Sequence, residues 1–174
     1  METLKAIFTR RSVREFKQDL VSEADVHDLL RAGMQAPSAR NEQPWHFIVI
    51  DDPALLHAIP EFHPYSKMLL EAPLAILVCS DHKLESKRTS WVLDCSAATQ
   101  NILLAAHAKG LGAVWVGIFP NAERVAGMQS LLEMPEDVQP VALVAVGHPA
   151  ATPEPADRFK KERVHQNKWG ARYF

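Results

Sequence analysis

The sequence predicts an α+β fold in which helices and short strands alternate irregularly and the strands form a sheet covered on both faces. Three observations carry this. Four short runs, at 46–51, 74–79, 113–116 and 141–147, have strand length and are apolar on both faces, as strands buried above and below must be. These runs lie far apart in the chain. Between them stand segments with helical spacing and helical end signals.

The first helix covers 2–9, with Leu4, Ile7 and Phe8 on one face. Ser22 has the character of an N-cap, with Asp25 at the third helical position. Val26, Leu29, Leu30 and Gly33 follow at helical spacing, so a second helix runs to about Gln35 and stops before Pro37. HFIVID at 46–51 is a β-branched apolar run and reads as a strand, as does LAILVC at 74–79. The longest helix spans 91–109. Its Leu93, Ala97, Ala98, Ile102, Leu104, Ala105 and Ala108 are spread around most of the circumference, which predicts a buried central helix. Asp94 and Asn101 share one face of it, two turns apart, and Gly110 ends it. A strand at 112–117 opens and closes with glycine. Asn121 caps a further helix to about Glu133, and 141–147 supplies the last strand.

The chain has 174 residues, 47% of them hydrophobic, which suffices for one domain, 1–174, with a core that needs no staples. Lys and Arg number 19 against 21 Asp and Glu, a net charge of −2. That balance argues against sequence-independent nucleic-acid binding, which needs a basic face. Cys79 and Cys95 are the two cysteines and form no CxxC pair, which argues against a disulfide scaffold or a structural zinc site. The opening METLKAIFTRRS lacks the apolar stretch of a signal peptide, and no apolar run is long enough to cross a bilayer. The expectation is a cytoplasmic protein with no membrane partner. HExxH, GxSxG, GxGxxG and GxxxxGK[ST] are all absent, and the eight histidines are scattered; His46 and His148 flank strands and read as structural.

Three segments could carry a site. Arg10, Arg11 and Arg14 lie close together with Ser12 and Lys17, and a second basic group, Arg158, Lys160, Lys161 and Arg163, lies near the other end. Arginine forks and a hydroxyl suit an anion such as phosphate; solvated surface charge is the other reading. The loop APSARNEQPW at 36–45 is stiffened by two prolines and offers Ser38, Asn41 and Gln43 to a ligand with mixed hydrogen-bonding groups; an ordinary helix-to-strand connection would look similar. Gly117 could admit another group close to the backbone or simply serve packing.

In order along the chain, RRSVR at 10–14, APS at 36–38 with NEQPW at 41–45, DCSAATQN at 94–101, GLGAVWVG at 110–117, GHP at 147–149, Arg158 and RVHQNKW at 163–169 resemble the FMN-dependent nitroreductase family. The resemblance covers nearly the whole chain. It implies a mostly antiparallel central sheet flanked by helices, in an intertwined homodimer whose C-terminal arm, about 158–174, crosses to the partner. It implies FMN as cofactor, with two sites lined by both subunits, and NAD(P)H as co-substrate. Arg10 and Ser12, with Arg158, would meet the phosphate and ribityl chain, and Arg11 would support the same anion site. Arg14 would approach the pyrimidine edge. Pro37, Ser38 and Asn41 would come from the partner subunit. Trp115, Val116 and Gly117 would border the ring, with a backbone N–H near N5.

No catalytic side chain is implied, because the flavin carries the chemistry. The implied activity is ping-pong electron transfer from NAD(P)H to a nitroaromatic, a quinone or a similar small-molecule acceptor. Within the same fold, a specialised flavin oxidase or dehalogenase, or a non-catalytic FMN-binding protein, stands as the alternative. The chain departs from larger relatives in two places. A long helical insertion is replaced by 80–90, and Ala39 and Arg40 stand where small polar residues are common.

Overall fold

A computed structural model of the chain describes residues 1–86 and 89–174. Its elements are α1 (Thr3–Thr9), α2 (Glu23–Met34), β1 (Trp45–Ile50), α3 (Pro53–Phe62), β2 (Leu74–Asp81), α4 (Trp91–Ala108), β3 (Gly112–Gly117), α5 (Ala122–Leu131) and β4 (Val138–Gly147). The strands form one antiparallel sheet in the order β1-β2-β4-β3, so the fold is α+β.

Because β2 and β4 are central, both of their faces are buried. Leu74, Ile76 and Val78 of β2 pack with Leu29 of α2 and with Cys95, Ala98 and Ile102 of α4. Ala75, Leu77 and Cys79 pack on the other face with Leu56 and Ile59 of α3 and Met128 of α5. Successive strand side chains point to opposite faces, so one apolar run feeds two cores.

The helix ends follow their local chemistry. Ser22 Oγ accepts the Asp25 N–H at 3.1 Å to start α2, Asn121 Oδ1 accepts the Arg124 N–H at 3.0 Å to start α5, and Gly110 leaves α4 with φ of +79°. At the start of α4, Glu85 takes the capping role. Its Oε1 accepts the N–H groups of Thr89, Ser90 and Trp91.

Several expectations are corrected. Helix α3 is an addition: Asp52 Oδ1 accepts the Ala54 N–H at 2.8 Å, Pro53 occupies the first turn, and Pro60 sits inside the helix. Strand β4 begins at Val138, well before 141, and carries Pro140 opposite Cys79, where the register shifts; a bulge tolerates a residue with no N–H. On α1 the apolar face is not core: Ala6 is its buried residue, while Phe8 is 67% exposed. Helix α4 is buried along the sheet and against α2, but Leu93 faces solvent. Two of its polar residues tie down neighbours. Asp94 Oδ1 accepts the Ala39 N–H at 3.0 Å, and Asn101 Nδ2 donates to the Ala32 carbonyl at 3.0 Å.

Residues 13–17 then run along the outer edge of the sheet. Val13 N–H donates to the Ala113 carbonyl at 3.0 Å, Lys17 N–H to His148 at 2.9 Å, and Ala150 N–H to Glu15 at 2.9 Å. That strapping fixes the basic segment before it and leads the tail after 150 toward it.

Candidate functional site

Arg10 and Arg11 leave the end of α1 half-buried, held by the buried Val13 and its bond to β3. Arg158 comes from the C-terminal segment and meets them. The three border a cavity of about 740 Å³, together with Thr9, Ala156 and Phe159, a size in the range of small-molecule sites. Burial, then the Arg158 charge and then the Arg11 charge hold Arg10 below the usual guanidinium range. Three like charges pressed together around a cavity are stabilised by an anion among them. Asp157 also lines the cavity, and its Oδ1 accepts the Phe159 N–H at 2.9 Å.

Behind Arg10 lies a contact that spacing could not show. Thr9 Oγ1 donates to the Lys5 carbonyl at 2.6 Å and lies 2.7 Å from His107 Nε2. With its own proton committed, the hydroxyl accepts from Nε2–H. Burial, and secondarily the Arg10 charge, push the His107 pKa down.

The 36–45 loop is bound up in itself. Arg40, Asn41 and Gln43 all have positive φ, at 56°, 55° and 49°, conformations that cost energy for side-chain-bearing residues. Ser38 Oγ accepts the Gln43 N–H at 3.0 Å, and Gln43 Nε2 donates to Asn41 Oδ1 at 2.9 Å. Arg40 grips Glu42 through Nε at 2.8 Å and Nη2 at 3.0 Å, and Ser86 adds its hydroxyl to Glu42. Arg40 therefore has an internal partner. Pro37 and Asn41 are exposed and Ser38 half-exposed. This loop meets α4 at Asp94, whereas Arg10 meets it near His107. Helical rise separates those two points by about 20 Å. One chain thus does not bring Pro37, Ser38 and Asn41 to the arginine cavity.

On β3 the two glycines differ. A Cβ at Gly112 would stand 2.7 Å from Val13 Cγ1, so this is a packing glycine; a Cβ at Gly117 would meet nothing within 4 Å. Gly117 thus leaves room for a ligand to approach its backbone. Trp115 is part-exposed, but Val116 is 4% exposed with its side chain in the core, so only its backbone could face a ring. Ser12 and Arg14 do not line the arginine cavity; Ser12 is half-buried and Arg14 is exposed. Of the 80–90 segment, Lys87 and Arg88 lie outside the described residues.

The profile of the Nitroreductase family matches residues 7–63 and 61–148. The chain belongs to the nitroreductase family. A relative from Methanothermobacter thermautotrophicus, provisionally named an NADH dehydrogenase/NAD(P)H nitroreductase, is 48% identical over 169 residues, 97% of this chain and 88% of its own. A solved Parabacteroides distasonis protein with the same provisional name has a TM-score of 0.93 and 40% identity, covering 96% of this chain and 98% of its own. A provisionally named nitroreductase from Desulfovibrio desulfuricans, solved in complex with FMN, has a TM-score of 0.84 and 33% identity, covering 97% of this chain and 98% of its own.

Of the residues the sequence singles out, Arg10, Arg11 and Arg158 come together at one cavity, and Gly117 has an open side. Nothing in the sequence points to His107, His63 and Arg124, the last two of which hold the Gly117 carbonyl. Lone histidines carry no spacing signal; only their tertiary partners mark them. Among the described residues no cluster suits a metal ion, and no helix is long and apolar enough to cross a membrane.

Proposed function

We propose that this chain is an FMN-dependent, NAD(P)H-consuming oxidoreductase whose acceptor is a flat, electron-poor small molecule such as a nitroaromatic or a quinone. The observation that carries the reading is the convergence of Arg10, Arg11 and Arg158 on one cavity. Their donor set fits the phosphate of a mononucleotide, and the open side of Gly117 fits a flat ring. FMN, when bound, supplies the redox chemistry, taking electrons from NAD(P)H and passing them to the acceptor.

The chain's own task is binding and electrostatics. Arg10, Arg11 and Arg158 hold the anionic end, and Thr9 with His107 backs Arg10. Arg14, exposed beyond that cavity, would approach the pyrimidine edge, where a cation favours the reduced ring. Trp115 and the backbone of Val116 and Gly117 border the ring. Ser12 serves the ribityl chain.

The reading is completed by a second copy. Pro37, Ser38 and Asn41 sit too far from the arginine cavity within one chain, so they serve the partner's site. The exposed Leu4, Ile7 and Phe8 of α1 and the aromatic arm, in which Phe174 stacks edge-on against Phe159 at 5.6 Å, supply apolar surface for a homodimer.

The test is spectroscopic. Purified protein titrated with FMN under anaerobic conditions should bind it, bleach on addition of NADH or NADPH, and recover colour with menadione or a nitroaromatic. Alternate reduction and reoxidation at one site should give ping-pong kinetics. Bound flavin that neither nicotinamide bleaches would point to a non-catalytic flavoprotein. A protein that takes up no FMN refutes the reading.

A further inference from the structure

Placing a flavin ring at Gly117 gives a task to two residues that the fold alone leaves unexplained, and the inference rests on that placement. The Ala113 carbonyl accepts the Val13 N–H, so Ala113 turns its backbone to the outer edge of the sheet. Antiparallel strands repeat that orientation at every second residue. The N–H and C=O of Trp115 and Gly117 therefore face the same edge.

At Gly117 the carbonyl is taken twice. His63 Nε2 donates to it at 2.9 Å and Arg124 Nη1 at 3.0 Å. A carbonyl only accepts, so His63 carries its proton on Nε2 and its Nδ1 is a bare acceptor. That Nδ1 is buried with no partner. Burial first, with the Arg124 charge adding to it against the Gly117 hydrogen bond, lowers the His63 pKa and so favours the neutral ring. Ser66 Oγ donates to the His63 carbonyl at 2.7 Å, fixing the turn that aims the ring. Arg124 is braced over the Tyr65 ring at 5.5 Å, and Tyr65 stands edge-on to His63 at 6.4 Å.

A buried imidazole with one nitrogen unsatisfied costs stability. Glycine brings no side chain to restrict its own backbone. Both points make sense if the orientation of Gly117 matters. We propose that His63 and Arg124 are positioning residues for the flavin: they fix the Gly117 backbone so that its outward N–H meets the redox-active edge of the ring, and Arg124 places a fixed positive charge beside it. Such preorganised donors and charge favour the reduced, more negative ring over the oxidised one.

The test compares the FMN-loaded parent with Arg124→Met, Arg124→Lys, His63→Leu and His63→Gln. It measures the affinity for oxidised FMN, the two-electron midpoint potential and the rate of flavin reduction by NADH. Oxidised FMN should bind each variant about as tightly as the parent, because the phosphate is held elsewhere. Arg124→Met should bind reduced flavin about tenfold less tightly relative to oxidised, which lowers a two-electron potential by about 30 mV. Arg124→Lys keeps a donor and the charge and should restore most of that loss. His63→Leu should slow flavin reduction without raising the KM for NADH, and His63→Gln, which keeps a donor, should recover it. Should His63→Leu fail to fold, His63→Gln and the Arg124 pair still decide the matter. An unchanged potential in FMN-loaded Arg124→Met, or a change confined to thermal stability, overturns the proposal. A parent that binds no FMN overturns the flavin reading itself, and this inference with it; the titration of the parent shows that before any variant is made.

Discussion

Arg10 and Arg158, from opposite ends of the chain, lie near enough for the charge of one to depress the pKa of the other. Without an anion between them this closeness opposes folding; with one it becomes a grip. Replacing both by alanine should therefore weaken FMN binding while leaving the apo protein at least as stable. Each charge-assisted contact is worth about 1.5–3 kcal/mol, so the double variant should lose roughly two to four powers of ten in affinity. Fluorescence titration reads the affinity and thermal melting the stability. Unchanged affinity would remove the phosphate site.

The glycines of β3 separate packing from binding. Gly112→Ala drives a methyl into Val13 and should cost about 1–3 kcal/mol of stability by overpacking, shifting the basic segment with it. Gly117→Ala meets open space, so its melting temperature should stay close to the parent's while FMN affinity falls. Paired melting and titration curves check this. Equal loss of stability in both variants would contradict the open face at Gly117.

Much of this was legible in the sequence because the signals are local. Ser22, Asn121 and Gly110 mark helix ends by chemistry that acts within a turn, and the four apolar runs announce strands by composition. Helix α3 was not legible because Pro60 interrupts its pattern, although Asp52-Pro53 is a start signal. The beginning of β4 was hidden by Pro140, which survives there at an irregularity in the β2–β4 register. For the site, clustering exposed Arg10, Arg11 and Arg158 as candidates, but no period along a chain reveals that its two ends meet. His63 and His107 owe their roles to Gly117 and Thr9, partners far away in sequence.

The strained loop carries a pH dependence of its own. Arg40 first, and the Ser86 hydroxyl next, lower the Glu42 pKa from 4.5 to about 2. A carboxylate with a depressed folded-state pKa contributes stability that is fully present above its unfolded pKa. That contribution is lost as pH falls from about 4.5 toward 2. Glu42→Gln should therefore flatten that part of the acid limb of the stability curve. Melting temperatures of parent and variant at pH 6, where the parent should be the more stable, and at about pH 2.5, where the gap should narrow, test the sign. A gap that does not change with pH would show that Glu42 acts without its charge.

The C-terminal arm should be needed for more than its own folding. His165 and Arg172 form a bridge, and Asn167 and Gly170 with positive φ turn the chain between them. The resulting hairpin leaves Trp169 92% exposed, and Tyr173 and Phe174 are exposed as well. Aromatic surface of that extent at a chain end is costly in water unless something covers it. If the cover is a second copy, deleting residues 165–174 should reduce a dimer to a monomer in sedimentation. It should also reduce flavin retention, because Pro37, Ser38 and Asn41 of a partner would no longer reach the arginine cavity. The core, whose two clusters contain no residue beyond Val146, should keep its fold by circular dichroism. A truncated chain that stays monomeric yet holds FMN as tightly as the full-length protein would show that one chain completes the site by itself.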